Sequence, residues 1–195
     1  MDKLTSLLLV GVGGQGTILA ARILSQVALL QGLDVKMSEV HGMAQRGGSV
    51  VTHVKFGPHV YSPLVERGEA DYVVAFEKLE ALRWAEYLKP DGTLVVNEQA
   101  IYPMPVITGS AVYPQDILAR LGQQQIRLVT CDAANLASVC GNRKAANVVL
   151  MGILAKQTDI PLATWQTAIE QKVPSRFLDL NQQAFLAGYA LPACV

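Results

Sequence analysis

The stretch Leu4 to Gly16, "LTSLLLVGVGGQG", runs from an apolar segment straight into three glycines spaced Gly11-x-Gly13-x-x-Gly16. Apolar residues then recur at helical spacing from Thr17 to Gln31, and Gly32 closes the pattern. That order dictates a strand, a tight turn and a helix. The first glycine permits the tight turn, the second lets backbone approach a phosphate, and the third lets helix and strand pack closely. Gly14 and Gln15 add flexibility inside the turn, with one side-chain amide able to bond a ligand or a neighbouring loop. Two readings follow: an anion-binding turn, or a glycine turn with a purely structural role.

Val35 to Val40 reads as a second strand, which makes the opening a βαβ unit with a right-handed crossover. Glu39, at the end of that strand, stands at about the distance where a dinucleotide-binding chain places the acid that reads a ribose. His41 follows within two residues, so the carboxylate can equally bond this loop, tune the imidazole or face solvent. The loop, "HGMAQRGGSV", holds His41, Gln45, Arg46 and the pair Gly47-Gly48. A cation beside free backbone N–H groups suits a phosphate or a carboxylate. The alternative is a tight turn whose arginine pairs with Glu39 or with a partner's carboxylate.

Further along, "SVVTHVKF" sets Val50, Thr52, Val54 and Phe56 on one face and Ser49, Val51, His53 and Lys55 on the other. Such unequal faces predict an edge or antiparallel strand, and the turn Gly57 to His59 is expected to return the chain into "VYSPLV" as a hairpin. "DYVVAF" (Asp71 to Phe76) has the pattern of a buried strand. A helix from about Glu77 to Leu88, the stop "KPDG" at Lys89 to Gly92, and a strand at Thr93 to Asn97 come next. A helix at Gln115 to Leu121 and a strand at Ile126 to Cys131 add another pair. Helical segments at Lys144 to Gln157, Leu162 to Gln171 and Arg176 to Leu191, divided by Pro161 and Pro174, fill the rest. The expected fold is α/β: a Rossmann-like, mostly parallel sheet with helices on both faces, an edge hairpin and a helical C-terminal third, in one domain spanning 1–195.

Composition narrows the function. Apolar residues make up 51% and charged ones 16% of 195 residues, which fits a compact chain with a buried sheet. Sixteen basic residues balance sixteen acidic ones without a basic stripe, so neither nucleic acid nor an anionic membrane is an expected partner. The longest apolar runs, such as "VVLMGILA" from Val148 to Ala155, fall short of the roughly 20 residues a membrane span needs. The N-terminus lacks a signal-peptide core, so a cytoplasmic location is expected.

Cys131, Cys140 and Cys194 are widely spaced with no CxxC, whereas a cubane cluster takes about four thiolates. No G-x-S-x-G and no serine, histidine and acid set is present. His41 has no companion at metal spacing, and His53 and His59 carry no expected catalytic role. Glu66, Glu69 and Asp71 read as a polar loop before a strand. Asn97, at a strand's carboxyl end, is a ligand-edge candidate, and Asn147 reads as a helix-packing residue.

Taken together, "GVGGQG", "SEVHGMAQRGGSVVTHVKFG", "YSPLVERGEADYVVAFEKLEALR", "LKPDGTLVVN" and "GNRKAANVVLMG" resemble the gamma-domain family of 2-oxoacid:ferredoxin oxidoreductases, in its indolepyruvate branch. The resemblance runs from about Leu7 to the C-terminal helices, and "HGMAQRGGSV" in register behind the glycine turn is its most specific part. It implies a subunit of an enzyme that oxidatively decarboxylates arylpyruvates to aryl-acetyl-CoA and passes electrons to ferredoxin. A larger alpha subunit is implied as the carrier of thiamine diphosphate and the iron–sulfur clusters, with coenzyme A as co-substrate and this chain alone inactive. The matching motif positions are Gly11 to Gly16 and His41 to Gly48. Two rival readings keep to the residues alone: a stand-alone NAD(P)-dependent oxidoreductase resting on the glycine turn and Glu39, and a noncatalytic assembly subunit whose glycine loops serve an interface.

Overall fold

The computed structural model describes residues 3–42 and 47–191. Strand β1 (Thr5–Val12) leads through the glycine turn into α1 (Thr17–Leu30), and Gly32, in the left-handed region at φ 72°, releases the chain into β2 (Asp34–His41). Strand β3 (Ser49–Gly57) turns back along β2, and an irregular stretch then leads to β4 (Ala70–Ala75) and α2 (Lys78–Trp84). After β5 (Leu88–Asn97) come two short helices, α3 (Met104–Ile107) and α4 (Ile117–Gly122), and then β6 (Arg127–Cys131). The chain finishes in α5 (Ala133–Val139), α6 (Ala146–Lys156), α7 (Leu162–Lys172) and α8 (Leu178–Tyr189). Pro161 and Pro174 stand where sequence periodicity breaks: the first immediately precedes α7, and the second opens the turn into α8.

The six strands form one sheet in the order β2-β3-β1-β4-β5-β6. Strands β1, β4, β5 and β6 are parallel neighbours, while β3 runs antiparallel to both β1 and β2. Successive side chains of the central strands alternate between two cores, as the period of two requires. Leu7, Leu9, Val74 and Val95 pack under α1 and the C-terminal helices, whereas Leu8, Val10, Val73 and Val96 pack under α2 and α4. No helix among the described residues is long and apolar enough to cross a membrane.

The expected architecture is present, with three local differences. The edge hairpin is made by β2 and β3, and "VYSPLV" is not a strand. Strand β3 is interior, so β1 and β2 are not neighbours and the opening βαβ unit spans a strand between them. Its polar face is buried because the segment after it folds back and supplies partners. The Val65 N–H donates to His53 Nδ1 at 3.1 Å, and Lys55 Nζ meets Glu69 Oε1 at 2.6 Å. Finally, "KPDG" does not precede β5 but forms an irregularity inside it, where the pairing with β4 shifts register and Asp91 takes φ 61°.

Helices α6 and α8 cross at two glycines. A Cβ on Gly152 would stand 2.0 Å from the Phe185 carbonyl oxygen, and one on Gly188 would stand 2.0 Å from that of Val149. Backbone therefore meets backbone, which lets α6 be buried from Asn147 to Ala155 and lets Trp165 stack on Phe185. Gly152→Ala is expected to lower unfolding free energy by roughly 3 kcal/mol through overpacking; an unchanged urea midpoint would contradict this close crossing. Burial, reinforced by Lys55, holds the His53 imidazole below its ordinary pKa of 6.5. The unfolded chain therefore binds a proton that the folded chain refuses, so His53's contribution is full above about pH 6.5 and is lost as pH falls through the lowered folded value. His53→Gln is expected to flatten that part of the stability profile, measured by urea unfolding between neutral and mildly acidic pH.

Candidate functional site

After β1 the chain passes to α1 on one face of the sheet, and after β4 it passes to α2 on the other. The carboxyl ends of these neighbouring strands therefore open a crevice, the topological switch point at which open α/β sheets bind ligands. A cleft of about 670 Å³ lies there. Its walls are the glycine turn from Gly14 to Gly16, Phe76 after β4, Asn97 and Gln99 at the end of β5, and the segment around Arg143 and Lys144 that leads into α6.

The turn is rigidly tied. The Gln15 side chain accepts from the Val12 N–H at 2.7 Å and donates to the Phe76 carbonyl at 2.8 Å and to Gln99 Oε1 at 3.2 Å. It thus joins the ends of β1, β4 and the β5 loop in one network. Asn97 completes that network: its amide donates to the Phe76 carbonyl and Gln99, and its Oδ1 accepts from the Ala133 N–H at 3.1 Å. A Cβ on Gly11 would meet Phe76 Cβ at 3.0 Å and Gln15 Oε1 at 2.8 Å, so a side chain there would displace the Gln15 amide from its network. Gly16 has φ 81°, and a Cβ there would strike Asn147 Nδ2, which instead donates to the Gly16 carbonyl at 3.1 Å. Asn147 is a packing residue as expected, and it also brings the start of α6 against the start of α1.

The Gly13 N–H is not free for a ligand: it donates to the Gly48 carbonyl at 2.9 Å. The N–H groups of Gly14 and Gly16 have no partner among the described residues. Two helix N-termini, those of the 14-residue α1 and the 11-residue α6, converge on the cleft. Among the described residues, Arg143 and Lys144 are exposed on its rim without an ion pair and no acidic side chain lines it. The arrangement favours a multiply charged anion. Arg143 and Lys144 are absent from the sequence-derived candidates, yet a signal is present. Cations just before a helix oppose its dipole, an arrangement that an anion relieves.

The second glycine segment is placed differently. Glu39 Oε1 meets His41 Nε2 at 2.9 Å, and Glu39 Oε2 accepts from the Thr52 hydroxyl at 3.1 Å. The carboxylate is used on the hairpin, as one of its readings anticipates, and His41 lies about half exposed beside it. Gly47 and Gly48 join this segment to the first turn through the Gly48 carbonyl. Gln45 and Arg46 lie outside the described residues.

The model of the family described as pyruvate ferredoxin/flavodoxin oxidoreductase matches residues 6–191. The chain belongs to this family. It is 39% identical over 188 residues to the indolepyruvate oxidoreductase subunit IorB of Thermococcus kodakarensis, covering 94% of this chain and 93% of that protein. Pyruvate oxidoreductase subunit PORC of Thermotoga maritima has the same fold, with a TM-score of 0.74 at 24% identity over 96% of both chains. So does part of the 2-oxoglutarate:ferredoxin oxidoreductase of Magnetococcus marinus, solved with 2-oxoglutarate, coenzyme A and succinyl-CoA bound. There the TM-score is 0.74 at 18% identity over 97% of this chain and 31% of that one.

Asn97 is almost fully buried and uses both ends of its amide. Asn97→Asp keeps the shape but turns a donor into a second acceptor facing the Phe76 carbonyl. Urea unfolding at neutral pH is expected to show a loss of about 2 kcal/mol or more; a neutral substitution would mean that the amide network does not fix this edge.

Proposed function

We propose that this chain is the smaller subunit of an arylpyruvate oxidoreductase, in which a 2-oxoacid of the indolepyruvate type is oxidatively decarboxylated to its aryl-acetyl-CoA and ferredoxin takes the electrons. The family match and the relative named for indolepyruvate, aligned over 94% of the chain, support the reaction class. The observation that carries this chain's own part is the cleft at the switch point, which among the described residues has no acidic lining and presents two free N–H groups, two helix N-termini and two cations without an ion pair. Coenzyme A brings a diphosphate and a 3′-phosphate, the kind of multiply charged anion such a cleft favours. In this reading Gly14, Gly16, Arg143 and Lys144 hold its phosphates and orient the thiol end toward the partner. Arg46, with the backbone N–H groups next to it in sequence, is read from the sequence as a further binder of an anionic group of coenzyme A or as a brace for the partner.

Thiamine diphosphate and the iron–sulfur clusters belong, in this reading, to a larger alpha subunit. Among the described residues no three His, Cys, Asp or Glu side chains gather at metal distance. Burial, with Glu98 and Asp132, pushes the Cys131 thiol up to about 12. The bound thiamine supplies the carbanion chemistry, and the residues here bind, orient and exclude water. The complex works in the cytoplasm. A dinucleotide reading is weaker because Glu39 is bonded to His41 and Thr52 and its strand is separated from β1 by β3.

Purification of the native complex is expected to bring this chain down with a larger brown subunit, and indolepyruvate-dependent ferredoxin reduction is expected only when both are present. A colourless chain active by itself would overturn the subunit reading. In the assembled enzyme, Arg143→Ala and Lys144→Ala are each expected to raise the coenzyme A KM by roughly tenfold with kcat nearly held, the signature of lost charge-assisted binding. An unchanged KM in a fully assembled complex would remove coenzyme A from this cleft and favour the assembly role.

A further inference from the structure

Two buried carboxylates, Glu77 capping the start of α2 and Glu80 in its first turn, lie near the carboxyl edge of the sheet. Glu77 is 1% exposed; its Oε2 accepts the Glu80 N–H, and its Oε1 accepts both the Ile101 N–H at 3.0 Å and the Tyr113 hydroxyl. Glu80 is 2% exposed; its Oε2 accepts the Ser49 hydroxyl at 2.6 Å, and its Oε1 accepts Arg83 Nη1. Each carboxylate thus holds a different loop. Glu77 holds the segment from Ile101 to Tyr113, Glu80 holds the end of the second glycine segment, and a cleft of about 220 Å³ lies between them.

Ser49 is well placed to transmit this hold. It directly follows Gly47 and Gly48, opens β3, and its carbonyl accepts the Gly42 N–H at 2.9 Å, closing the hairpin. One residue back, the Gly48 carbonyl occupies the Gly13 N–H. A carboxylate with so little access to water is costly unless each oxygen is bonded, and a charge-assisted O–H···O⁻ bond is among the stronger that a side chain makes. The geometry points to Glu80 as a positioning residue: through Ser49 it holds the second glycine segment against the first, so that the anion cleft presents the N–H groups of Gly14 and Gly16 and not that of Gly13.

Glu80 touches neither the cleft nor any reacting atom in this scheme; it acts through Ser49 and Gly48. If the bond is released, Gly48 no longer has a fixed height above the turn. The Gly13 N–H then opens to solvent, and the wall of the cleft loses its single conformation. The consequence for activity rests on the coenzyme A reading of that cleft, whereas the consequence for the backbone does not.

The test uses Ser49→Ala and the conservative Ser49→Thr in the full chain. Hydrogen exchange resolved at peptide level is expected to quicken roughly tenfold across residues 12–16 and 47–50 in Ser49→Ala and to return to the parent rate in Ser49→Thr. Unchanged exchange in Ser49→Ala, or a Ser49→Thr variant that fails to restore it, would overturn the positioning role. In the assembled enzyme the coenzyme A KM is expected to rise about tenfold in Ser49→Ala while kcat stays within about twofold, with Ser49→Thr again restoring it. Quicker exchange with an unmoved KM would leave Glu80's role standing and count against coenzyme A as the ligand of the cleft.

Discussion

The insertion of β3 between β1 and β2 governs what the carboxyl edge of this sheet can do. Adjacent strands lie about 4.8 Å apart, so the end of β2 is displaced to roughly 10 Å from β1. In a dinucleotide-binding sheet the acid at the end of the second strand stands beside the glycine turn. Here that neighbouring place is taken by the start of β3, running the other way, and the glycine turn meets Gly48 instead of Glu39. The same insertion turns Glu39 toward the hairpin, where His41 and Thr52 use both of its oxygens. A turn that keeps the dinucleotide spacing is thereby given a different companion.

That companion also changes which donors remain. Of the N–H groups in the turn, Val12 is bonded to the Gln15 side chain and Gly13 to the Gly48 carbonyl. The glycine spacing therefore does two jobs at different positions. Gly11 makes room for Gln15 and Phe76, and Gly16 makes room for Asn147, while Gly14, at φ 101°, has open space around it. The structural and proposed anion-binding readings of the turn need not exclude one another: Gly11 serves the first, Gly14 the second, and at Gly16 the missing Cβ serves the first while the N–H is left for the second.

Much of this was legible in the sequence where a segment's partners are implied by its own pattern. The central parallel strands are near-continuous apolar runs because both faces are covered, and the prolines at positions 161 and 174 mark the starts of helices. The position of β3 was not legible in this way. His53 and Lys55 make one of its faces look half-solvated, and the groups that bury them, the Val65 N–H and Glu69, come from an irregular segment without periodicity. The bulge at "KPDG" was hidden similarly, since proline and glycine look like a stop while the register resumes with Thr93. At the site, the glycines were readable because backbone geometry demands them. Gln99 was not, since only the convergence of distant loops brings it to the cleft, and Arg143 and Lys144 carried a signal, two cations just before a helix, that does not by itself say which cleft they line.

The two ends of the site differ in how their charges are balanced, and this bears on which parts are fixed before a ligand arrives. Glu77 and Glu80 are buried, and every oxygen they present has a donor, so their loops are held by interactions that salt screens weakly. Arg143 and Lys144 are exposed, adjacent, and set against the positive end of α6, so they repel one another and the helix dipole alike. The first pair makes a rigid frame, and the second leaves a positive potential that, in the proposed reading, a bound anion relieves. In the proposed reading the subunit contributes shape through its buried carboxylates and selectivity through two cations that have no ion pair among the described residues, and the salt dependence of ligand binding belongs to the second group.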